Sequence, residues 1–221
     1  RRGYALVAQD VRGREDSAGE WLPFAYEAAD GAATLNWIAA QEWCSGRIGM
    51  TGASYGGFVQ WAAASTGNPY LKALVSIVTA GSPFGDIHRK GGTFMSGLLP
   101  WCFAMAEQRV NPAAMQREDW DQVLRHRPLK DTPQLALDRE LPFWSTWAQN
   151  PDYNRFWQRQ DWPRQADQIN VPALIISGWC DDNITGSLEA WEVLASPGKA
   201  SARLIMGPWP HDLKRLGICT E

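Results

Sequence analysis

Residues 49–58, GMTGASYGGF, constrain this chain more than any other stretch. They set Ser54 between Gly52 and Gly56, the G-x-S-x-G spacing of an elbow where a strand enters a helix so sharply that the serine backbone is strained. Side chains two residues to either side would collide in such a turn, and both positions are glycine. The neighbours suit the context. Arg47 to Thr51 reads as a short strand carrying Ile48 and Met50, and Tyr55 to Thr66 as a helix with Phe58, Val59, Trp61 and three alanines. A serine presented on such an elbow is placed for nucleophilic chemistry.

The rest of the chain alternates as a sheet with helices on it requires. GYALVAQD (3–10) is an apolar run that reads as a buried strand closed by DVRG. Ala28 to Trp43 then sets Ala32, Leu35, Trp37, Ile38 and Trp43 on one helical face, with Asp30 near the positive end of the dipole. After the elbow and its helix comes LKALVSIV (71–78), another buried-strand run. Strand, helix, strand, helix, strand predicts a mostly parallel sheet flanked by helices, an α/β class fold. From Gly81 to about Gln168 the texture changes: Pro, Trp, Arg and Gln become frequent, and amphipathic pieces around 97–109, 113–125 and 152–160 predict helices. VPALIISG (171–178), a helix at roughly 186–195 and ARLIMG (202–207) restore the earlier pattern. The expected organisation is a core of residues 1–81 and 169–221, interrupted by a helical cap at 82–168.

Charge and composition exclude several classes. Lys+Arg 21 against Asp+Glu 24 gives a net charge of −3 without a long like-charge run, no footprint for nucleic acid or an anionic membrane. No apolar run approaches the ~18 residues of a membrane span, and Arg1-Arg2-Gly3 is not followed by a signal-peptide core. A cytoplasmic chain acting on a small neutral or mixed-charge molecule is the expectation. Cys44, Cys102, Cys180 and Cys219 are widely spaced with no CxxC or Cys/His ligand pattern. They read as small apolar residues or free thiols, and neither a metal nor a cofactor is expected.

A serine hydroxyl needs a base to take its proton, ordinarily a histidine held by a carboxylate. On an elbow fold the acid and then the histidine follow the serine in chain order, each on a loop at the carboxyl end of a strand. Of the three histidines, His88 and His126 fall in the predicted cap, where solvated or structural roles are expected. His211 follows strand 202–207 through GPWPH and stands in the required place. The loop GWCDDN after strand 171–178 offers two acids, Asp181 and Asp182, and local reasoning separates them no further. The oxyanion formed during acyl transfer needs preorganised donors. The backbone N–H of Tyr55, at a helix N-terminus, is one. In the cap, Trp101, Phe103 and Trp144 are candidates to line an apolar substrate pocket, while Trp179 and Trp209 are expected to pack the acid and histidine loops.

QDVRG (9–13), SAGEW (17–21), TLNWIAAQEWCSGRIGMTGASYGGFVQW (34–61), SGWCDD (177–182) and GPWPH (207–211) together resemble the cocaine esterase/NonD and X-Pro dipeptidyl peptidase-like (S15-type) serine hydrolases. The likeness covers nearly all of the chain outside the cap. It implies an α/β-hydrolase fold, with Ser54 as nucleophile, Asp181 rather than Asp182 as acid, and His211 as base. The implied activity is cleavage of carboxylic esters or acyl and peptidyl amides through an acyl-enzyme. Carboxylesterase, X-Pro dipeptidyl aminopeptidase and β-lactam acylase are the variants, with ester or acyl hydrolysis favoured because no anchor for a substrate amino terminus is identifiable. Related amino-ester hydrolases hold a substrate ammonium with carboxylates near the acid loop; here Asp182 is acidic but Asn183 and Ile184 are not. Relative to the family pattern, the strands ahead of GYALVAQD, the loop supplying a second oxyanion donor and a C-terminal jelly roll have no counterpart. That suggests a partial chain, or a binding or scaffold relic with impaired catalysis.

Overall fold

The computed structural model describes residues 3–212, leaving Arg1, Arg2 and Cys219 outside. Among the described residues, β1 (Ile48–Ala53), β2 (Leu71–Ile77), β3 (Ala173–Cys180) and β4 (Ala202–Pro210) form one sheet in the order β1-β2-β3-β4, every neighbouring pair parallel. The register pairs Ala53 with Ile77, Ile77 with Ile176, and Gly178 with Gly207, so the carboxyl ends of all four strands come out on one side. Such ends are where a doubly wound sheet gathers its chemistry.

Two helices stand where the sequence puts them: α1 (Glu27–Ala39), which precedes β1 but stops short of Trp43 and leaves Trp37 and Trp43 exposed rather than on the buried face with Leu35 and Ile38, and α2 (Tyr55–Ala64), which links β1 to β2. They pack because both carry small residues at the contact: a Cβ on Gly31 would lie 2.9 Å from that of Ala63. Beneath α2, Phe58 and Trp61 are fully buried with Leu74 and Ile175 of the sheet. The Trp61 indole N–H donates to Ser76 Oγ at 2.8 Å, so the buried ring leaves no polar atom unpaired.

Between β2 and β3 the chain makes a π-helical turn at Pro83–His88 and five short helices: α3 (Leu99–Ala104), α4 (Trp120–Arg125), α5 (Thr132–Leu137), α6 (Pro142–Gln149) and α7 (Arg155–Gln158). The pieces read at 97–109, 113–125 and 152–160 each contain one of these, shorter than expected. Helices α5 and α6 are not legible in the apolar pattern because prolines interrupt it; Pro133 and Pro142 sit in the first turn, where a missing N–H costs nothing. The tryptophans Trp144, Trp147, Trp157 and Trp162 form the buried interior of this stretch. After β3, α8 (Ile184–Ala195) returns the chain to β4.

Two expectations change. Residues 3–10 are not a strand: Tyr4 and Leu6 are 89% and 91% exposed. A strand exists only as part of a ladder, and among the described residues no backbone pairs with this run. Nor are all the cysteines thiols. Cys44 and Cys102 are free, but Cys180 at the end of β3 is disulfide-bonded.

The turn after β2 contains a titratable device. The Glu189 carboxylate of α8 accepts the Ser82 N–H at 3.0 Å and lies where a Gly81 Cβ would be, 2.0 Å away. Burial pushes its pKa from 4.5 up to about 7; the Ser82 N–H opposes this, and the charges of Asp86, Asp161 and Glu192 add to it. The folded chain therefore holds this proton more tightly than the unfolded one. Its contribution to stability is full below pH 4.5 and is lost as pH rises through about 7. Glu189→Gln, which keeps an acceptor for Ser82, is expected to raise Tm by ~3 °C more at pH 8 than at pH 5. Equal shifts at the two pH values, measured by thermal denaturation, would contradict this.

Candidate active site

Ser54 sits between β1 and α2 with φ 58° and ψ −117°, a left-handed backbone that a non-glycine residue adopts only under constraint. The constraint is visible: the Ser54 N–H donates to Ile77 O of the neighbouring strand at 2.9 Å, and its carbonyl accepts from Gly57 and Phe58 of α2. The glycines play unequal parts. A Cβ on Gly52 would lie 2.8 Å from Gly56 O, and one on Gly57 would lie 2.7 Å from Thr79 Cβ, whereas one on Gly56 would meet nothing within 4 Å. The expected symmetric collision about the serine is therefore one-sided, and Gly57 is the second glycine the packing needs. Gly52→Ala and Gly57→Ala should each cost ~1–3 kcal/mol in thermal or urea denaturation, while Gly56→Ala should be nearly neutral. Equal damage at Gly56 would refute this account.

Three strand ends converge here. His211, just past β4, places Nε2 2.8 Å from Ser54 Oγ and Nδ1 2.8 Å from Asp181 Oδ1, across 157 residues of chain in the first case. Asp181 is held from behind: Oδ1 also accepts the Asn183 N–H at 3.0 Å, and Oδ2 accepts the Ser177 hydroxyl at 2.9 Å. Its side chain is fully buried, while that of Asp182 is 78% exposed with Oδ1 3.3 Å from the same ring nitrogen. Burial by itself would raise the Asp181 pKa, but the bonds from His211, Asn183 and Ser177 bring it below the usual carboxylate value. The His211 pKa is raised, chiefly by the hydrogen bond to Asp181, against burial and with help from the charges of Asp181, Asp182 and Asp212.

Of the two tryptophans expected to pack here, Trp179 is 65% exposed, and Trp209 packs at the ends of β3 and β4. A Cβ on Gly178 would lie 1.9 Å from Trp209 O, and one on Gly207 would lie 2.5 Å from its ring, so Trp209 folds back onto both glycines. Lys90, which sequence reasoning passed over, adds a tether: Nζ donates to Asp182 O at 2.5 Å and pairs with the buried Asp86 at 3.1 Å. Nothing local in GDIHRKGG marks that lysine; only the fold brings it to the acid loop. Ser177 was within sight, two residues before Trp179 in the SGWCDD motif.

The other expected residues are scattered. Tyr55 is the first residue of α2, so its N–H lies outside the intrahelical ladder beside Ser54. Trp101 stacks on the Tyr55 ring, centroids 6.4 Å apart. Phe103 and Trp144 are instead fully buried, against Trp120 and Phe94 respectively. His88 is buried against Trp147, and burial lowers its pKa to about 3; neither it nor His126 hydrogen-bonds Ser54. Asp181, Asp182 and His211 place ligand atoms within 4.8 Å of one another and are the set among the described residues that could hold a metal ion. Asp181 and His211 already spend those atoms on each other. No helix among the described residues is long and apolar enough to cross a membrane.

Comparison with known proteins gives the family and the fold. The chain is 34% identical over 230 residues to a cocaine esterase of Rhodococcus sp. (strain MB1 Bresler), covering 96% of this chain and 39% of that protein. It is 28% identical to a Xaa-Pro dipeptidyl-peptidase of Lactobacillus helveticus, covering 94% of this chain and 28% of that one. It thus spans well under half the length of either. A solved α-amino acid ester hydrolase superposes with a TM-score of 0.75 at 23% identity, over 92% of this chain and 36% of its own. An aminopeptidase from a marine sediment Thaumarchaeota archaeon superposes at 0.70 with 25% identity, over 91% and 37%. The sheet is therefore that of an α/β hydrolase. The family model described as X-Pro dipeptidyl-peptidase (S15 family) matches residues 1–212, essentially every residue the structure describes, and the chain belongs to that family.

Proposed function

We propose that this chain carries the nucleophile, acid and base of a serine hydrolase that transfers an acyl group to Ser54 and releases it to water. The observation behind this reading is the pair of 2.8 Å hydrogen bonds through one imidazole, His211 to Ser54 and His211 to Asp181. Ser54 Oγ attacks the substrate carbonyl carbon while His211 Nε2 takes its proton; the same proton then passes to the leaving alcohol or amine as the carbonyl–heteroatom bond breaks. Water repeats the sequence on the acyl-enzyme. Asp181 holds Nδ1–H, which leaves Nε2 as the acceptor and stabilises the imidazolium. The Tyr55 N–H meets the developing oxyanion. Residues 82–168 act as a cap over the 1–81 and 169–221 core, with Trp101 as the aromatic that touches substrate; Phe103 and Trp144 support the cap from within.

An ester or acyl substrate is favoured, since the more similar of the two curated relatives described above is named an esterase. Cleavage of X-Pro amides is the second reading, favoured by the family model itself. A fluorophosphonate probe followed by intact mass decides whether the serine is nucleophilic: one adduct per chain, on Ser54, is expected. A folded chain that takes no adduct is a relic and ends this proposal. Rates on p-nitrophenyl esters, X-Pro p-nitroanilides and acylated β-lactams then rank the substrate classes.

A further inference from the structure

The residue beside the nucleophile is held by its side chain as well as by its helix. The Tyr55 hydroxyl accepts the Phe24 N–H at 2.8 Å and donates to the Glu27 carboxylate. Glu27 opens α1, is 6% exposed, and accepts the Tyr26 N–H at 2.8 Å through its other oxygen. No cation pairs with this carboxyl among the described residues, which is a costly arrangement for a group that stability alone would replace by an apolar one. Phe24 is itself held at φ 71°, an uncommon backbone for a bulky residue, with its ring 4.9 Å from that of Tyr55 and 4.8 Å from that of Phe58. Strain and a buried carboxyl without an ion-pair partner therefore meet on one phenol, and that phenol belongs to the residue whose backbone N–H faces the oxyanion in the function proposed above.

We propose that Glu27 is a positioning residue: through the Tyr55 hydroxyl it fixes the start of α2, and so the direction of the Tyr55 N–H and of Ser54 Oγ. The inference rests on the serine hydrolase reading. An oxyanion donor works only if its direction is set before charge develops, because then no reorganisation is needed during the reaction. A helix N-terminus alone leaves its first turn free to tilt. The phenol, bonded to Phe24 and Glu27, removes that freedom. Burial pushes the Glu27 carboxyl above its ordinary pKa, with the phenol and backbone bonds pulling the other way. The Tyr55 phenol is likewise pushed up, first by burial and then by Glu27, so it stays a proton donor throughout the working range.

Tyr55→Phe keeps the ring, the packing and the backbone N–H and deletes the hydroxyl alone. With p-nitrophenyl butyrate, and active sites counted by fluorophosphonate titration, kcat per titrated site should fall ~10-fold or more while KM stays within about 2-fold. Glu27→Ala should do the same, the double variant should be no slower than the slower single, and Glu27→Gln, which retains an acceptor for the phenol, should recover most of the rate. Unchanged kcat per site in Tyr55→Phe overturns the inference, as do losses that multiply in the double variant. If Glu27→Ala does not fold, Tyr55→Phe still decides. A wild-type chain that takes no fluorophosphonate overturns the serine hydrolase reading and this inference together, whereas a reactive wild type with an indifferent Tyr55→Phe overturns this inference alone.

Discussion

Replacing Ser54 by alanine is expected to lower kcat/KM for ester hydrolysis by ~10⁶ and to abolish the fluorophosphonate adduct, with His211→Ala causing nearly the same loss and the double variant falling no further. The equality is the informative part. In the proposed mechanism Ser54 and His211 share one proton-transfer step, so removing either removes the step, and the second removal takes away nothing that still operates. The geometry behind this is direct: His211 Nε2 lies 2.8 Å from Ser54 Oγ with no intervening group. Tm should move little in Ser54→Ala, because the strain lies in the φ of 58° and alanine carries the same Cβ. Losses that multiply in the double variant would mean that Ser54 and His211 act in separate steps. A Ser54→Ala chain that still hydrolyses ester would remove the acyl-enzyme from the mechanism.

The two adjacent aspartates are expected to differ by orders of magnitude. Asp181→Asn should cost ~10⁴ in kcat, the effect of presenting the histidine in the wrong tautomer. The carboxylate concerned is fully buried, 2.8 Å from Nδ1, and fixed by Ser177 and the Asn183 N–H. Asp182 is 3.3 Å from the same nitrogen but 78% exposed, so water screens it; Asp182→Asn should cost less than ~10-fold. Its effect should appear in the pH profile. In the proposed mechanism His211 must be neutral to accept the Ser54 proton, and its pKa is raised above 6.5, first by the hydrogen bond to Asp181, with the charges of Asp181, Asp182 and Asp212 adding to it. Activity should therefore rise with pH through an inflection above 6.5. Asp182→Asn removes one of those negative charges and should move the inflection downward. The same interaction has a stability signature: the contribution of Asp181 is lost as pH falls through its depressed value below 3.8, and that of His211 as pH rises through its raised value above 6.5. If Asp182→Asn were the dead variant and Asp181→Asn the active one, the acid would be Asp182.

The legible parts of this chain were those where a local rule has one solution. LKALVSIV showed itself as an apolar run of the kind an inner parallel strand carries, while the edge strands, half-exposed, were marked by the elbow motif and by the aliphatic LIM of ARLIMG between turn residues. His211 stood out by elimination, as one of three histidines and the one directly after a strand. The failures have physical causes too. GYALVAQD has the composition of a buried strand, yet pairing is a property of two chains of backbone, and no sequence run supplies its own partner. Helices α5 and α6 were obscured by first-turn prolines, and the choice between Phe103, Trp144 and Trp101 depends on which ring faces the elbow and which faces other rings.

By itself the sequence determined the order of chemistry: a serine on a G-x-S-x-G turn, then an acid pair, then a histidine, each after an apolar run, because local sterics and periodicity act over a few residues. Which aspartate oxygen meets the imidazole, that Lys90 grips the Asp182 carbonyl, that Trp209 folds onto Gly178 and Gly207, and that Glu27 reaches the phenol beside Ser54 were decided only by the tertiary structure. These are contacts between segments far apart in sequence. Their geometry is set by how strands register and helices pack, and no local pattern encodes it.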